Sequence, residues 1–219
     1  MGFALPNGAH VYLAATYEAE QVISGISNAT EAVVTLSAAH DIAVGDIVQL
    51  KSGWSALDNL VAKVSKVDSS TITLGNVNTS NVGKFAAGGG VGSLRKVLTW
   101  IELPQITEVS NSGGDQQNVQ IQFLSDDNQR NLNTFKAAMS QTYTIAHDSS
   151  LPVYDLLRDA DESGDTIAAY MYVPKAKENR YWSSTVSFNG MPTTAVNAVE
   201  TVAVVLNLQS AGMTFYKAE

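Results

Sequence analysis

The chain has 219 residues, of which 45% are hydrophobic and 16% charged, a composition typical of a globular protein and not of a disordered one. Acidic residues outnumber basic residues by 21 to 13, and this net charge of −8 argues against a surface built to grip nucleic-acid phosphates. The absence of cysteine excludes disulfides, thiol catalysis and cysteine-ligated zinc. The first eight residues lack a basic segment followed by a long apolar run, so we expect no secretory signal. The apolar run Thr201–Leu208 is too short to span a bilayer, so we expect no membrane span.

Alternation of apolar and polar residues with period two dominates the chain and predicts a mainly β protein. The predicted strands are rich in Val, Ile, Thr and aromatic residues, and Gly, Asn, Asp or Pro separates most of them. They cover residues 10–13, 32–36, 46–50, 71–74, 96–103, 119–124, 141–146, 166–173, 181–188 and 199–208.

Helical periodicity is found in one segment, Pro152 to Glu162. Ser150 is the expected N-cap of this helix, and Gly164 is the residue expected to end it. Leu156 and Leu157 lie on its apolar face, so we expect both side chains to be buried in the helix core.

Charge divides the chain into a central segment and two flanks. Residues 20–95 hold six acids and five bases, whereas residues 1–19 and 96–219 together hold fifteen acids and eight bases. We therefore expect a small all-β domain over 20–95, inserted into a larger, discontinuous β domain made of the flanks. The run Ala86–Gly92 contains four glycines and is the expected flexible exit from the insertion.

No motif predicts catalysis, a metal site or a cofactor. The three histidines, His10, His40 and His147, have no second ligand at a recognised metal spacing, and no nucleophile–base grouping is visible. Asp159–Gly164 imitates the start of a calcium loop, but its twelfth position would be Tyr170 where such a loop needs a bidentate Glu. We therefore expect a protein that is not an enzyme.

A series of moderate matches runs in order along both flanks. It comprises the first strand at Gly8–Ala15 and then Val97–Ile106, Ser110–Gln117, Val119–Arg130, the helix segment Ser149–Arg158, and the Asn189–Thr194 turn. This series, which covers the 143 residues of the flanks, resembles the tail tube (major tail) proteins of long, non-contractile-tailed bacteriophages.

The resemblance implies a β-sandwich with one packed helix that assembles into stacked hexameric rings, forming a tube that conducts DNA into the host. A siphophage subunit of this kind would be made in the host bacterial cytoplasm and reside in the virion tail. Its partners would be further copies of itself together with the tape measure, tail terminator and tail tip proteins, with DNA passing transiently and no membrane contact. A negative lumen lining would repel DNA phosphates, and the net charge of −7 on the flanks is compatible with that.

Two segments receive specific expectations from the resemblance. The segment Ser125–Lys136 is the expected inter-ring stacking loop, and its charged or polar candidates are Ser125, Asp126, Asp127, Arg130 and Lys136. Residues 20–95 resemble a small β-barrel module found in phage structural proteins. Because a lumen has no room for six such modules, we expect the insertion on the tube exterior.

Two other functions stay open from the residues alone. The chain could be a tail-tip or baseplate module that recognises host-surface glycan, although no aromatic cluster falls in a predicted turn. A hydrolase is the weakest alternative, because no catalytic set is visible.

Overall fold

A computed structural model describes residues 5–218 and confirms a mainly β protein with one short helix. The strands before the long β7 are β1 (His10–Tyr17), β2 (Gln21–Ile26), β3 (Val33–Leu36), β4 (Ile47–Ser52), β5 (Val61–Asp68) and β6 (Thr71–Leu74). The remaining elements are β7 (Gly92–Leu103), β8 (Ile106–Ser112), β9 (Gln116–Ile121), β10 (Arg130–Lys136), β11 (Ser140–Ala146), α1 (Val153–Ser163), β12 (Ile167–Val173), β13 (Glu178–Thr193), β14 (Thr201–Leu208) and β15 (Thr214–Lys217).

The flanks form two packed sheets that share one strand. The first sheet runs in the order β7, β1, β12, β13, and β15 pairs with the first part of β13. The second sheet runs in the order β13, β14, β11, β8. Strand β13 is 16 residues long and belongs to both sheets, so a single strand joins the two layers of the sandwich.

The core between the two sheets is continuous and apolar. Leu13 and Trp182 enter it from the first sheet, and Tyr143, Val204 and Leu206 enter it from the second. Period-two alternation explains this arrangement, since the burial pattern along β14 alternates between buried and accessible residues.

Helix α1 covers one edge of this core. Val153, Tyr154, Leu157 and Ala160 are its buried residues, and the Tyr154 ring meets Phe188 edge-on at 5.4 Å. Leu157 is fully buried as expected of a core residue, whereas Leu156 is only half-buried at the margin of the cluster.

The helix start differs from the expectation. The N-cap is Pro152 and not Ser150, whose hydroxyl instead donates to Asp148 Oδ1 at 2.6 Å in the preceding turn. Helix α1 ends at Gly164, as the sequence predicts. Gly164 adopts the left-handed conformation (φ 66°) and donates its N–H to the Ala160 carbonyl.

The segment predicted as an insertion forms a closed barrel. Strands β2, β3, β6, β5 and β4 pair in succession, and both β2 and β4 pair with the first half of β7. The barrel has its own core of 18 buried residues, which includes Leu50, Trp54 and Ile72. Its boundary with the sandwich falls inside β7, which passes from the barrel to the sandwich without interruption.

The glycine run at the barrel exit is not a flexible linker, so that expectation is wrong. The Trp54 indole donates to the Ala86 carbonyl at 2.8 Å, and a Cβ on Gly89 would lie 2.8 Å from the Trp54 Nε1. A Cβ on Gly92 would collide with the Lys51 backbone. Close packing inside the barrel therefore explains Gly89 and Gly92, whereas Gly88 adopts a positive φ of 77° in a turn.

Candidate assembly surfaces

The three histidines take part in local contacts. The Nδ1 atom of His10 lies 2.7 Å from Glu102 Oε1, the Nδ1 atom of His40 accepts from the Ile42 N–H, and His147 Nδ1 lies 2.9 Å from the Tyr154 hydroxyl. Over residues 5–218, no group of three His, Asp or Glu side chains is arranged to hold a metal ion. In the same range, no helix is long and apolar enough to cross a membrane.

Strand β8 is an unprotected edge of the second sheet. Among the described residues it pairs with β11 on one side, and its other side carries no strand. Six of its seven residues are exposed, and Glu108 is its one charged residue. Natural edge strands that avoid pairing usually carry several charges, a proline or a bulge that turns the edge away. The irregularity in the pairing of β8 with β11 lies near the start of β8, at Thr107, so the rest of the strand, residues 108–112, is suited to pairing with another chain.

A long hairpin, β9–β10, extends from the ends of β8 and β11. Gly113 and Gly114, both with φ near +80°, form the bend at its base, where the Gly114 N–H donates to the Ala137 carbonyl. All of β10 and all of β9 except Ile121 are exposed, so no core lies under this hairpin. A two-stranded ribbon without a core is marginally stable in isolation.

The two faces of the hairpin differ in chemistry. Val119 lies opposite Leu132 and Ile121 lies opposite Arg130 on one face, whereas the alternate positions carry Asn and Gln together with Lys136, which lies opposite Gln116. The apolar face has no partner among residues 5–218, which is the pattern of a surface that another protein chain covers.

The expected stacking loop differs in extent from the observed one. Arg130 and Lys136 lie on strand β10, so the connection between the two strands is 122–129 and not the whole of Ser125–Lys136. Ser125, Asp126 and Asp127 lie in that connection. The sequence missed β10 because its Asn, Thr and Lys residues show no apolar alternation.

The tip of the hairpin, residues 122–127, is an ordered turn that displays two apolar side chains. The Asp126 N–H donates to the Phe123 carbonyl at 2.9 Å, the Gln122 amide donates to the Asp126 carbonyl at 3.0 Å, and Arg130 approaches the Asp126 carboxylate at 3.5 Å. Phe123 is 62% exposed and Leu124 is fully exposed.

A cleft of about 600 Å³ opens between the two sheets beside the base of the hairpin. Its apolar lining includes Val11, Val109, Met171, Trp182 and Met213. Trp182 is only 1% exposed, and its indole N–H has no hydrogen-bond acceptor among residues 5–218.

The outer face of the first sheet is aromatic and partly covered by the barrel. Tyr12 and Tyr170 stack at 4.6 Å, and the Trp100 ring meets Tyr170 edge-on at 4.8 Å. Because these rings contact each other, their faces are not spread out as a flat platform for a sugar. Burial raises the pKa of Tyr181, deeper in the same cluster, to about 12.

Hydrogen bonds hold the barrel against this face. The Ser183 hydroxyl donates to the Asn59 carbonyl at 2.6 Å, the Thr214 hydroxyl donates to the Val61 carbonyl at 2.7 Å, and the Tyr216 hydroxyl donates to the Gly75 carbonyl at 2.8 Å. Arg95 donates to the Thr166 carbonyl at 2.6 Å while its guanidinium lies 3.8 Å from the centre of the Tyr17 ring. The barrel is therefore docked on the sandwich and not tethered to it.

The outer face of the second sheet carries mostly small side chains and a single charged residue, Glu108. None of the 13 Lys and Arg residues lies on it, and one acid does. Its positions are Glu108, Ser110, Ser112, Ser140, Thr142, Thr144, Thr185, Ser187, Asn189, Ala203, Val205 and Asn207.

Comparison with known families gives a match over most of the chain. The model of the phage tail tube protein (TTP) family matches residues 52–218, from the end of β4 to the end of the described structure. Comparison with curated proteins gives no match. The family match covers more than three-quarters of the chain and every strand of the sandwich except β1, and the chain therefore belongs to the phage tail tube protein family, whose members build the tube of the virion tail.

Proposed function

We propose that this protein forms hexameric rings that stack into the tail tube of a siphovirus and that this tube delivers DNA into the host. The observation that carries the proposal is the open edge of β8, seven residues long with a single charge. An open edge of this kind leaves backbone N–H and C=O groups that a neighbouring copy can satisfy, and a closed ring satisfies all of them.

The hairpin supplies the contact between rings in this proposal. It projects beyond the sandwich and has no core of its own, so a second copy would bury its apolar face. The charged residues Asp127, Arg130 and Lys136 would form rim contacts that are individually weak, about 0–1 kcal/mol each, and repeated around the ring.

The outer face of the second sheet carries no Lys or Arg, and this supports DNA transport. Each Lys or Arg that neutralises a DNA phosphate adds affinity, so a wall without cations would not retain DNA during transit. We therefore propose this face as the lumen wall, in place of the negatively charged lining that net charge suggested. The barrel covers the opposite side of the sandwich, which fits a position on the tube exterior.

The remaining parts of the proposal follow from the tube assignment. The protein would be made in the host bacterial cytoplasm and join the virion through the tape measure, tail terminator and tail tip proteins. Tail tubes need these partners to set their length and to close their two ends.

Two single proline variants test the edge contact, Val109→Pro and Ser110→Pro. Adjacent residues of an antiparallel strand direct their N–H groups to opposite sides, so one variant loses an outward N–H and the other an N–H to β11. We expect the variant that loses the outward N–H to stay folded by circular dichroism but to form no tubes in electron micrographs. Normal tubes from both variants would contradict pairing through β8.

A further inference from the structure

We propose that the hairpin tip of one copy inserts Phe123 and Leu124 into the cleft between the two sheets of a second copy. This inference rests on the proposed self-assembly and names the receiving site, which the family match does not specify. The two surfaces are the tip, residues 122–127, and the cleft lined by Val109, Met171, Trp182 and Met213.

The tip has the properties of a preformed apolar plug. Its turn is fixed by two hydrogen bonds and by the Arg130–Asp126 contact, so little conformational freedom remains to be lost on binding. Phe123 and Leu124 are large apolar side chains at the end of a projecting ribbon, and both are exposed. Removal of apolar surface from water is the dominant favourable term in most protein–protein association.

The cleft has the matching properties of a receptor. Its volume of about 600 Å³ is sufficient for a phenylalanine and a leucine side chain, and most of its lining is apolar. Trp182 lines the cleft and is itself only 1% exposed.

The charges beside the two surfaces are mixed, and the excess of positive charge lies on the turn between β12 and β13. Asp126 and Asp127 follow the apolar pair on the tip, and Asp126 lies 3.5 Å from Arg130. Glu108 and Arg180 both line the cleft, and Arg180 is paired with Glu178 at 2.6 Å. Lys175 and Lys177 are exposed in the turn, so their attraction to Asp127 would favour one orientation of the tip.

The occupant must come from another copy of the chain. The cleft includes Asn111 and Gln141 at the base of the hairpin, whereas the tip lies at the far end of the ribbon. Strand β9 has six residues, which at about 3.4 Å per residue separates tip and base by about 20 Å. A contact between two different surfaces is heterologous, so it propagates from copy to copy into a ring or a filament.

The test uses paired cysteines, since the natural chain contains none. Leu124→Cys on the tip is combined with Val109→Cys in the cleft, and assembled protein is oxidised and run on a denaturing gel without reductant. The matched control combines Leu124→Cys with Val44→Cys, an exposed valine on the barrel. Electron micrographs of each sample before oxidation record whether tubes are present.

We expect the tip–cleft pair to give a ladder of dimers, trimers and larger species, and the control pair and the Leu124→Cys single variant to remain monomeric. Tubes without a ladder from the tip–cleft pair would overturn the inference and leave the proposed function intact. A Leu124→Cys single variant that forms dimers would also overturn it, because the tips would then contact each other. Wild-type protein that forms no tubes would contradict the proposed function and this inference with it.

Discussion

At the scale of single residues, Leu157 shows how a position on the apolar face of α1 contributes to the free energy of unfolding. Its side chain lies in the sandwich core with Tyr154 and Phe188, whereas its neighbour Leu156 lies half-exposed at the margin. We expect Leu157→Ala to reduce the free energy of unfolding by about 2–5 kcal/mol, because it leaves a cavity in a packed core. Leu156→Ala is the matched control, with an expected loss of about 1 kcal/mol. Equal losses in urea unfolding experiments would contradict the burial of one face of α1.

Tyr181 gives a prediction on pH. Burial, followed by the neighbouring Tyr216, raises its pKa from 10 to about 12. A group whose pKa is raised in the folded state stabilises the fold below its unfolded pKa and loses that contribution as pH rises. Stability should therefore fall between pH 10 and pH 12, and Tyr181→Phe should make the fall shallower in thermal melts across that range. An unchanged slope would contradict the burial of this hydroxyl.

The helix and the hairpin show what the sequence could and could not predict. The helix was recognised because Leu156, Leu157 and Ala160 recur with helical spacing and Gly164 follows, although Ser150 was given a capping role that Pro152 takes. Strands β2, β5, β8, β10 and β15 are absent from the strands predicted from the sequence. Strand β10 faces no core and β8 contacts one only through Ile106, so their residues show little apolar alternation. Strand β5 belongs to the barrel core and is absent as well, so a weak sequence signal does not by itself mark an assembly surface.

At the scale of elements, the hairpin is separable from the sandwich. Replacing residues 116–136 with a short Gly-containing turn removes a ribbon that contributes nothing to the three hydrophobic clusters. We expect this variant to remain folded and soluble, with a melting temperature close to that of the wild type, and to form no tubes. Normal tubes from the variant would exclude the hairpin from the contact between rings.

The barrel is the second element that can be tested by excision. Replacing residues 20–95 with a Gly/Ser linker should preserve tube formation if the barrel lies on the tube exterior. The same change uncovers Tyr181 and Tyr216 and removes the bonds from Arg95, so we expect a lower melting temperature. Loss of tubes from a variant that stays folded would place the barrel in the subunit contact.

The charge and topology of the whole molecule favour different surfaces for different tasks. In our account the open edge of β8 and the hairpin face other copies, the outer face of the second sheet, which carries no Lys or Arg, faces DNA, and the docked barrel faces solvent. Composition alone could not assign these roles, because the net charge of −8 is a property of the chain and not of any face. The register of the paired strands shows which side chains lie on the same face of a sheet, and therefore which face carries charge.

The most direct test of the central claim is electron microscopy of the purified wild-type protein over a range of concentrations. We predict hollow tubes built from stacked rings with six-fold symmetry in end views, formed without any other tail protein, since the open edge and the hairpin belong to the same chain. Particles that stay monomeric at every concentration, or incomplete rings that do not close, would contradict the account.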